Sequence, residues 1–205
     1  MEAGLEPGHQ AGFGSAQVDI GHTDLGESGF MRPLSQPLHE LLPVEVILQS
    51  HEGILETRFV HWPDEASCAA FAATLASRPA LHDAYIELHG PLGAGKTTFV
   101  RHLLRALGVS GRIKSPTYAV VEPYSLPGLE ISHFDFYRFD DPREWEDAGF
   151  RELFAAPGLK LAEWPEKAAT VLPLADLSLH IEAQDDESRR VRLEACTARG
   201  QDLLR

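Results

Sequence analysis

The sequence of 205 residues contains no asparagine, and this absence excludes one common way of recognising a nucleotide. GTPases usually select guanine through an Asn-Lys-x-Asp type motif, which needs an asparagine side chain to read the base. This chain cannot supply such a motif. A guanine-specific GTPase is therefore not expected.

Cysteine is scarce, and long apolar runs are missing. Cys68 and Cys196 lie far apart without Cys-x-x-Cys spacing, so buried free thiols are expected rather than a disulfide. The ten histidines are scattered singly, which does not favour a zinc site.

No apolar run approaches the roughly 18 residues of a membrane span, and no basic stretch followed by an apolar one opens the chain. We expect a cytoplasmic protein without membrane contact.

Basic residues are fewer than acidic ones: the chain has 18 Lys and Arg against 31 Asp and Glu, which gives a net charge of −13. Affinity for nucleic acid rests mainly on cationic contacts to phosphate. The chain is therefore not expected to bind RNA or DNA on its own, and any RNA contact would have to be local.

The first 50 residues differ in composition from the rest. They contain seven acidic residues and one basic one, and up to about Pro43 they are rich in Gly, Pro, Ser and Gln without a sustained period. We expect residues 1–50 to be a disordered extension, with Met31 as a candidate alternative start, and residues 51–205 to form the folded domain.

A glycine-rich run at residues 90–97, Gly-Pro-Leu-Gly-Ala-Gly-Lys-Thr, matches the phosphate-binding P-loop pattern G-x-x-x-x-G-K-[ST] at every fixed position. Glycines let successive backbone N–H groups surround a polyphosphate at the N-terminus of a helix. Lys96 would reach the β- and γ-phosphates, and the Thr97 hydroxyl would coordinate Mg²⁺. The run predicts a nucleotide-binding protein.

The patterns on either side of this loop are those that a P-loop requires, with a strand before it and a helix after it. Residues 84–88 are typical of a short buried strand, and apolar residues then recur at helical spacing until Gly108. Further strands are predicted at 57–61, 117–124, 129–134, 159–162, 177–181 and 190–195, and further helices at 63–77, 145–154 and 166–171. The fold class is therefore α/β: a P-loop NTPase-like mixed β-sheet flanked by helices, in a single domain.

Hydrolysis needs a carboxylate near the metal and a group that orients water. Asp135 and Glu163 each follow a predicted strand, and ligand chemistry gathers at the C-terminal ends of strands in open α/β sheets. The sequence does not decide which of the two contacts Mg²⁺ and which handles water. Ser115 and Thr117, one helix after the P-loop, occupy the place of a loop that senses the γ-phosphate.

Four motifs in this order resemble one family. They are Gly-Pro-Leu-Gly-Ala-Gly-Lys-Thr-Thr at 90–98, Lys-Ser-Pro-Thr-Tyr at 114–118, His-Phe-Asp-Phe-Tyr-Arg at 133–138 and Glu-Trp-Pro at 163–165. The chain resembles TsaE, the P-loop ATPase of bacterial tRNA threonylcarbamoyladenosine biosynthesis, over about residues 56–196. Family members often have an acidic residue where Pro91 stands.

The resemblance implies a set of roles. Mg-ATP would be held by the P-loop, the metal would be bound through Thr97 and Glu163, and Asp135 would be an essential carboxylate that is also a metal-ligand candidate. It implies partners of the TsaB and TsaD type, which modify adenosine 37 of tRNA. The residues expected to bind ATP are Gly90, Leu92, Gly93, Ala94, Gly95, Lys96, Thr97 and Thr98, with Glu65 and Ser67 from the first helix.

Two other functions remain open at this point. A small-molecule kinase would use the same P-loop with an arginine-rich lid, for which Arg138, Arg143 and Arg151 are candidates. A nucleotide-gated binding module would bind ATP to set its affinity for a partner, with little turnover.

Overall fold

One mixed β-sheet organises the chain in a computed structural model that describes residues 44–47, 53–139, 145 and 149–205, with only the backbone described for 44–47. The described strands are β1 (Val44–Ile47), β2 (Glu56–Trp62), β3 (Tyr85–His89), β4 (Val121–Leu126), β5 (Leu129–Asp135), β6 (Leu159–Glu163), β7 (Leu177–Ala183) and β8 (Arg189–Ala195). The described α-helices are α1 (Glu65–Ala76), α2 (Lys96–Ala106), α3 (Phe150–Ala155) and α4 (Ala198–Leu204), and short 3₁₀ helices cover Pro79–Asp83 and Pro165–Lys167.

The strand order is β1-β2-β8-β7-β3-β6-β5-β4. The central neighbours β7, β3, β6 and β5 run parallel, while antiparallel strands flank them on both sides. Because β3, β6 and β5 are parallel neighbours, the residues at their C-terminal ends meet at one edge of the sheet. This confirms the predicted α/β fold with a mixed sheet flanked by helices.

Helix α2 follows the P-loop and packs on α1 and the sheet. Its side chains Phe99, Val100, Leu103 and Leu104 are fully buried. Burying a side chain of this size contributes about 1.5–3 kcal/mol. Trp62 at the end of β2 stacks on Phe99, with ring centroids 5.9 Å apart. This packing holds the start of α2, and with it the P-loop, against the sheet.

A second, largely aromatic cluster covers the opposite face of the sheet near β5 and β6. Side chains alternate between faces along a strand, so Phe134 points away from its neighbours His133 and Asp135. Phe134 contacts Phe136, Phe150 and Phe154, and Trp145 packs against the same group. The cluster lies behind the ends of β5 and β6 and supports them.

Several predicted boundaries differ from the structure. Strand β1 lies inside the range 1–50 assigned to the extension and pairs with β2, so the sheet begins before residue 51. Strand β4 begins at Val121 rather than at 117, because 117–119 form a turn. Only the 3₁₀ helix Pro165–Lys167 stands where a helix over 166–171 was predicted, and the predicted helix 145–154 is interrupted at Gly149, whose φ is +69°.

The remaining predictions concern the extension, the cysteines and membrane spans. Met31 and the rest of the extension up to residue 43 lie outside the described residues. Both cysteines are free thiols, with Cys68 buried and Cys196 half-buried. Across the part of the chain that the structure describes, no helix is both long and apolar enough to cross a membrane. Helix α4, which was not predicted from the sequence, packs against β8.

A buried carboxylate, Asp176, ties helix α4 to the sheet. It accepts hydrogen bonds from the Tyr85 backbone N–H at 2.9 Å and from the Thr197 hydroxyl at 2.5 Å. Arg199 lies 3.3 Å from the same carboxylate. Because Asp176 is 7% exposed, its charge depends on these donors rather than on water.

We predict that Asp176→Ala lowers the free energy of unfolding by about 3 kcal/mol, since it leaves a buried N–H and a hydroxyl without acceptors. Urea denaturation measures this change. Asp202→Ala is the control, because Asp202 forms only an exposed ion pair with Arg205 and should change stability by less than about 0.5 kcal/mol. Equal unfolding midpoints for the two variants would contradict the role of Asp176.

Candidate functional site

The P-loop connects β3 to α2 and depends on glycine backbone geometry. Gly90, Gly93 and Gly95 have φ values of +137°, +81° and +113°, which side chains other than glycine rarely adopt. At Gly90 a Cβ atom would also lie 2.4 Å from the Ile181 carbonyl oxygen of β7. Glycine at position 90 thus lets the loop pass close to the end of the neighbouring strand.

Lys96, the first residue of α2, is held inside the loop. Its ammonium donates to the carbonyl oxygens of Gly90 at 2.6 Å and Pro91 at 3.0 Å. The same ammonium lies 3.8 Å from the centre of the Trp164 ring, a cation–π distance. Burial lowers the pKa of Lys96, and this effect exceeds the opposite influence of the nearby Glu163 carboxylate. The lysine is a buried cation whose partners are uncharged: two backbone carbonyls and an aromatic ring.

Glu163 ends β6 and faces Thr97 on the first turn of α2. The Thr97 hydroxyl lies 2.9 Å from both carboxylate oxygens, and the Nε2 atom of His133 lies 2.9 Å from Oε1. Glu163 is only 2% exposed. A hydroxyl and a carboxylate side by side form a pair of hard oxygen donors of the kind that Mg²⁺ prefers.

Asp135 ends β5, the strand next to β6, and is the register partner of Glu163. Its Oδ2 atom accepts hydrogen bonds from the Ser115 hydroxyl and, at 2.8 Å, from the Thr117 hydroxyl. Its Oδ1 atom accepts from the Tyr137 backbone N–H at 2.9 Å. Asp135 therefore holds the loop of Ser115 and Thr117 at the edge of the site.

Two residues beside the acids have left-handed backbone conformations. Val120 has a φ of +64°, which is rare for a β-branched residue, and Trp164 has a φ of +58°. The Val120 carbonyl accepts from the Asp135 N–H at 2.9 Å, and the Trp164 ring lies over Lys96. Such conformations cost about 1–3 kcal/mol each and cluster at functional sites. Here they shape the backbone on both sides of the carboxylates.

These residues line one open cavity of about 290 Å³, which we call the P-loop cavity. It brings together most of the predicted site and adds Tyr137 and Trp164. Its lining residues are Leu92, Gly93, Gly95, Lys96, Thr97, Thr98, Ser115, Thr117, Asp135, Tyr137, Glu163 and Trp164.

A second cavity of about 460 Å³ adjoins the first and shares Gly93, Gly95 and Thr98 with it. We call it the hairpin cavity, because the turn between β7 and β8 forms one wall. Its other lining residues are Trp62, Asp64, Glu65, Cys68, Ala94, Ala183, Gln184, Glu187 and Arg189. Burial raises the pKa of the Cys68 thiol to about 12, with a smaller contribution from Glu65, so this wall carries an inert thiol.

The two ATP-binding candidates from the first helix, Glu65 and Ser67, have different surroundings. Glu65 lines the hairpin cavity and lies 2.9 Å from His102 Nε2. Ser67 does not line either cavity. Its backbone N–H and hydroxyl both donate to Asp64, the N-cap of α1, at 2.8 and 2.7 Å. Ser67 therefore serves the helix cap, and its contact with a nucleotide stays a prediction.

Arg189 was not anticipated from the sequence. From the start of β8 it reaches the P-loop, and its Nε atom donates to the Ala94 carbonyl at 2.8 Å. Its guanidinium also donates to the carbonyls of Glu187 and Ser188 in the β7–β8 turn. Arg189 thus clamps the loop to the hairpin. No local signal marks it, because its partner lies 95 residues away.

Comparison with known proteins agrees with this arrangement. The family model for "Threonylcarbamoyl adenosine biosynthesis protein TsaE" matches residues 62–191, which contain the P-loop, Asp135, Glu163 and Arg189. The chain belongs to the TsaE family. This confirms the resemblance seen in the four motifs.

Individual relatives support this membership. The TsaE protein of Haemophilus influenzae is 44% identical over 119 residues, which cover 58% of this chain and 75% of the relative. The Bacillus subtilis TsaE protein is 36% identical over 110 residues, covering 54% and 68%. A crystal structure of Bacillus subtilis YdiB aligns with a TM-score of 0.58 at 25% identity, covering 72% of this chain and 90% of that one.

The structure also places the arginines considered for a kinase lid. Arg138 lies over the Tyr118 ring, 4.3 Å from its centre, and neither residue is among those that line the P-loop cavity. Arg151 is an exposed residue of α3, and Arg143 lies outside the described residues. Pro91 of the P-loop contributes its carbonyl oxygen to Lys96.

We predict that Arg189→Ala loosens the P-loop, because the Ala94 carbonyl loses its side-chain donor. Hydrogen–deuterium exchange should become about tenfold faster in peptides covering residues 90–98, corresponding to the loss of about 1.4 kcal/mol. Arg190→Ala is the control, since Arg190 points to the Phe59 ring and not to the loop. Unchanged exchange in Arg189→Ala would show that the clamp does not hold the loop.

Proposed function

We propose that this TsaE family member is a Mg²⁺-dependent ATP-binding protein and ATPase. It supports N6-threonylcarbamoyladenosine modification of tRNA together with a complex of TsaB and TsaD type proteins. The observation that carries the proposal is the P-loop cavity, in which Lys96 and Thr97 face the buried carboxylates of Asp135 and Glu163.

The cavity fits a polyphosphate on physical grounds. The loop precedes α2, so its N–H groups and the positive end of the helix dipole favour an anion. Among the described residues, the Lys96 ammonium donates to two backbone carbonyls and lies over one aromatic ring. A phosphate oxygen is negatively charged and therefore binds the ammonium more strongly than these uncharged partners do. The P-loop and hairpin cavities are contiguous and together have the volume of a nucleotide site.

The donor set at the edge of the cavity fits Mg²⁺. The Thr97 hydroxyl and the Glu163 carboxylate are hard oxygen donors in contact, and Asp135 stands next to Glu163 in the strand register. When bound, the ion would neutralise charge on the phosphates. Glu163 is the better placed ligand of the two acids, since it contacts the P-loop hydroxyl of Thr97, whereas Asp135 contacts Ser115 and Thr117.

Asp135 would orient the attacking water and sense the phosphate chain. Its carboxylate accepts from the hydroxyls of Ser115 and Thr117, so a change in this loop changes the hydrogen bonding of Asp135 directly. This arrangement supports the assignment of the loop as a γ-phosphate switch. In this scheme Glu163 binds the metal and Asp135 handles water.

Adenine is the base we propose for the hairpin cavity. The chain lacks the asparagine of the usual guanine-recognition motif, and the cavity wall offers the Gln184 amide together with Glu65 and Glu187. Carboxylate and amide oxygens accept hydrogen bonds from an exocyclic amino group such as that of adenine.

The role in tRNA modification comes from the family. The matched relatives are named tRNA threonylcarbamoyladenosine biosynthesis proteins, and the net charge of −13 favours protein partners as the main contact to tRNA. We propose that this subunit acts in the cytoplasm, couples ATP turnover to a TsaB–TsaD complex and does not itself transfer the threonylcarbamoyl group.

We predict distinct effects for three site variants. Lys96→Ala should weaken ATP binding about 10- to 100-fold, because a charged donor to the phosphates is lost. Glu163→Gln and Asp135→Asn should retain ATP binding but lower turnover at least about 100-fold. Isothermal titration and a phosphate-release assay measure the two quantities.

Glu130→Gln is the matched control for these variants, because Glu130 lies on β5 with Asp135 but is exposed and bonded only to Ser125. It should hydrolyse ATP at the parent rate. Parent-level turnover in both acid variants would overturn their assigned roles.

We also predict that a TsaB–TsaD complex stimulates ATP turnover, whereas a small-molecule kinase would ignore it. Steady-state hydrolysis with and without the partners, followed by reconstituted tRNA modification with this protein added or omitted, tests this point. Partner binding that depends on ATP without stimulated turnover would favour a nucleotide-gated module instead.

A further inference from the structure

A histidine lies buried beneath the two carboxylates. His133 is on β5 two residues before Asp135, so both side chains lie on the same face of the sheet. The positions before it on that face, Leu129 and Ile131, are apolar and belong to the core beneath α1 and α2. His133 is 0% exposed, which makes it a polar side chain at a core position.

Among the described residues, this imidazole has one hydrogen-bond partner, the carboxylate of Glu163. The distance from Nε2 to Oε1 is 2.9 Å. An ionised carboxylate only accepts hydrogen bonds, so Nε2 carries the hydrogen and donates. Glu163 is therefore held from two directions, by the Thr97 hydroxyl on α2 and by the His133 ring on β5.

Stability alone does not explain a histidine here. The other ring nitrogen, Nδ1, is buried and makes no hydrogen bond to any residue that the structure describes. A buried polar atom without a partner costs free energy, and an aliphatic side chain such as that of Ile131 would avoid this cost. The residue is expected to serve the group that it contacts.

We infer that His133 is a positioning residue for the metal-binding carboxylate of Glu163. The inference rests on the proposed function, in which Glu163 binds Mg²⁺. Partners that hydrogen-bond to a ligating carboxylate set its orientation, and their loss typically lowers metal affinity about 10- to 100-fold. His133 acts through Glu163 and does not itself contact the nucleotide.

The test compares His133→Gln, whose side-chain nitrogen can occupy the place of Nε2, with His133→Asn, whose amide is too short to reach Glu163. Both variants bury an amide, so they share the cost of a buried polar group. His133→Leu removes the donor altogether. Electron paramagnetic resonance of Mn²⁺, used as the probe for the metal site, measures metal affinity in the presence of ADP without any turnover.

We expect the Asn and Leu variants to bind Mn²⁺ about 10- to 100-fold more weakly and the Gln variant to stay within about threefold of the parent. ADP affinity in EDTA should change less than about twofold, because the P-loop is intact. His61→Leu is the control, since it removes an exposed histidine bonded to Ser188 and should bind Mn²⁺ normally.

A double-mutant cycle separates positioning from a general structural role. In a Glu163→Ala background, His133→Asn should weaken Mn²⁺ binding no further, because the group it orients is gone. Equal Mn²⁺ affinity in the Gln and Asn variants, or additive effects in the cycle, would overturn the inference, and this comparison decides the matter even if His133→Leu does not fold. Failure of the parent protein to bind Mn²⁺–ADP would instead overturn the proposed function.

Discussion

The contact between the Thr97 hydroxyl and the Glu163 carboxylate joins the P-loop helix to the strand beside it, and the geometry of the site depends on this contact. Thr97 is set by α2, whose apolar face is buried against the sheet. Glu163 is set by the parallel pairing of β6 with both β3 and β5. Because each partner sits on a regular element, their distance does not depend on a loop.

Several charged side chains around this contact are buried from water. Lys96, Asp135 and Glu163 are all less than 5% exposed, so each must be satisfied by neighbouring groups. The loop carbonyls, the Trp164 ring, the hydroxyls of Ser115 and Thr117 and the His133 ring supply these partners. A site of this kind is organised before its ligand arrives, and the rare backbone conformations of Val120 and Trp164 are part of its cost.

Much of this could be predicted from sequence, because the informative patterns are local. The P-loop spacing, the helical period after it and the carboxylates following apolar strands each fall within about ten residues. The less accurate predictions have non-local causes. Strand β4 begins late because residues 117–119 form a turn in which the Thr117 hydroxyl donates to Asp135, and the pairing of β1 with β2 places β1 in the sheet. Arg189 reaches the P-loop from the far end of the chain.

Sequence alone is enough to predict the α/β class, the P-loop with its glycines and the two acids, since their residue types and spacing can be read along one segment at a time. Folding of the whole domain sets how the acids divide their contacts, with Glu163 on Thr97 and Asp135 on the hydroxyls of Ser115 and Thr117. It also places His133 beneath Glu163 and Ser67 at the cap of α1. These contacts depend on strand order, because β3, β6 and β5 become parallel neighbours only when the whole sheet has formed.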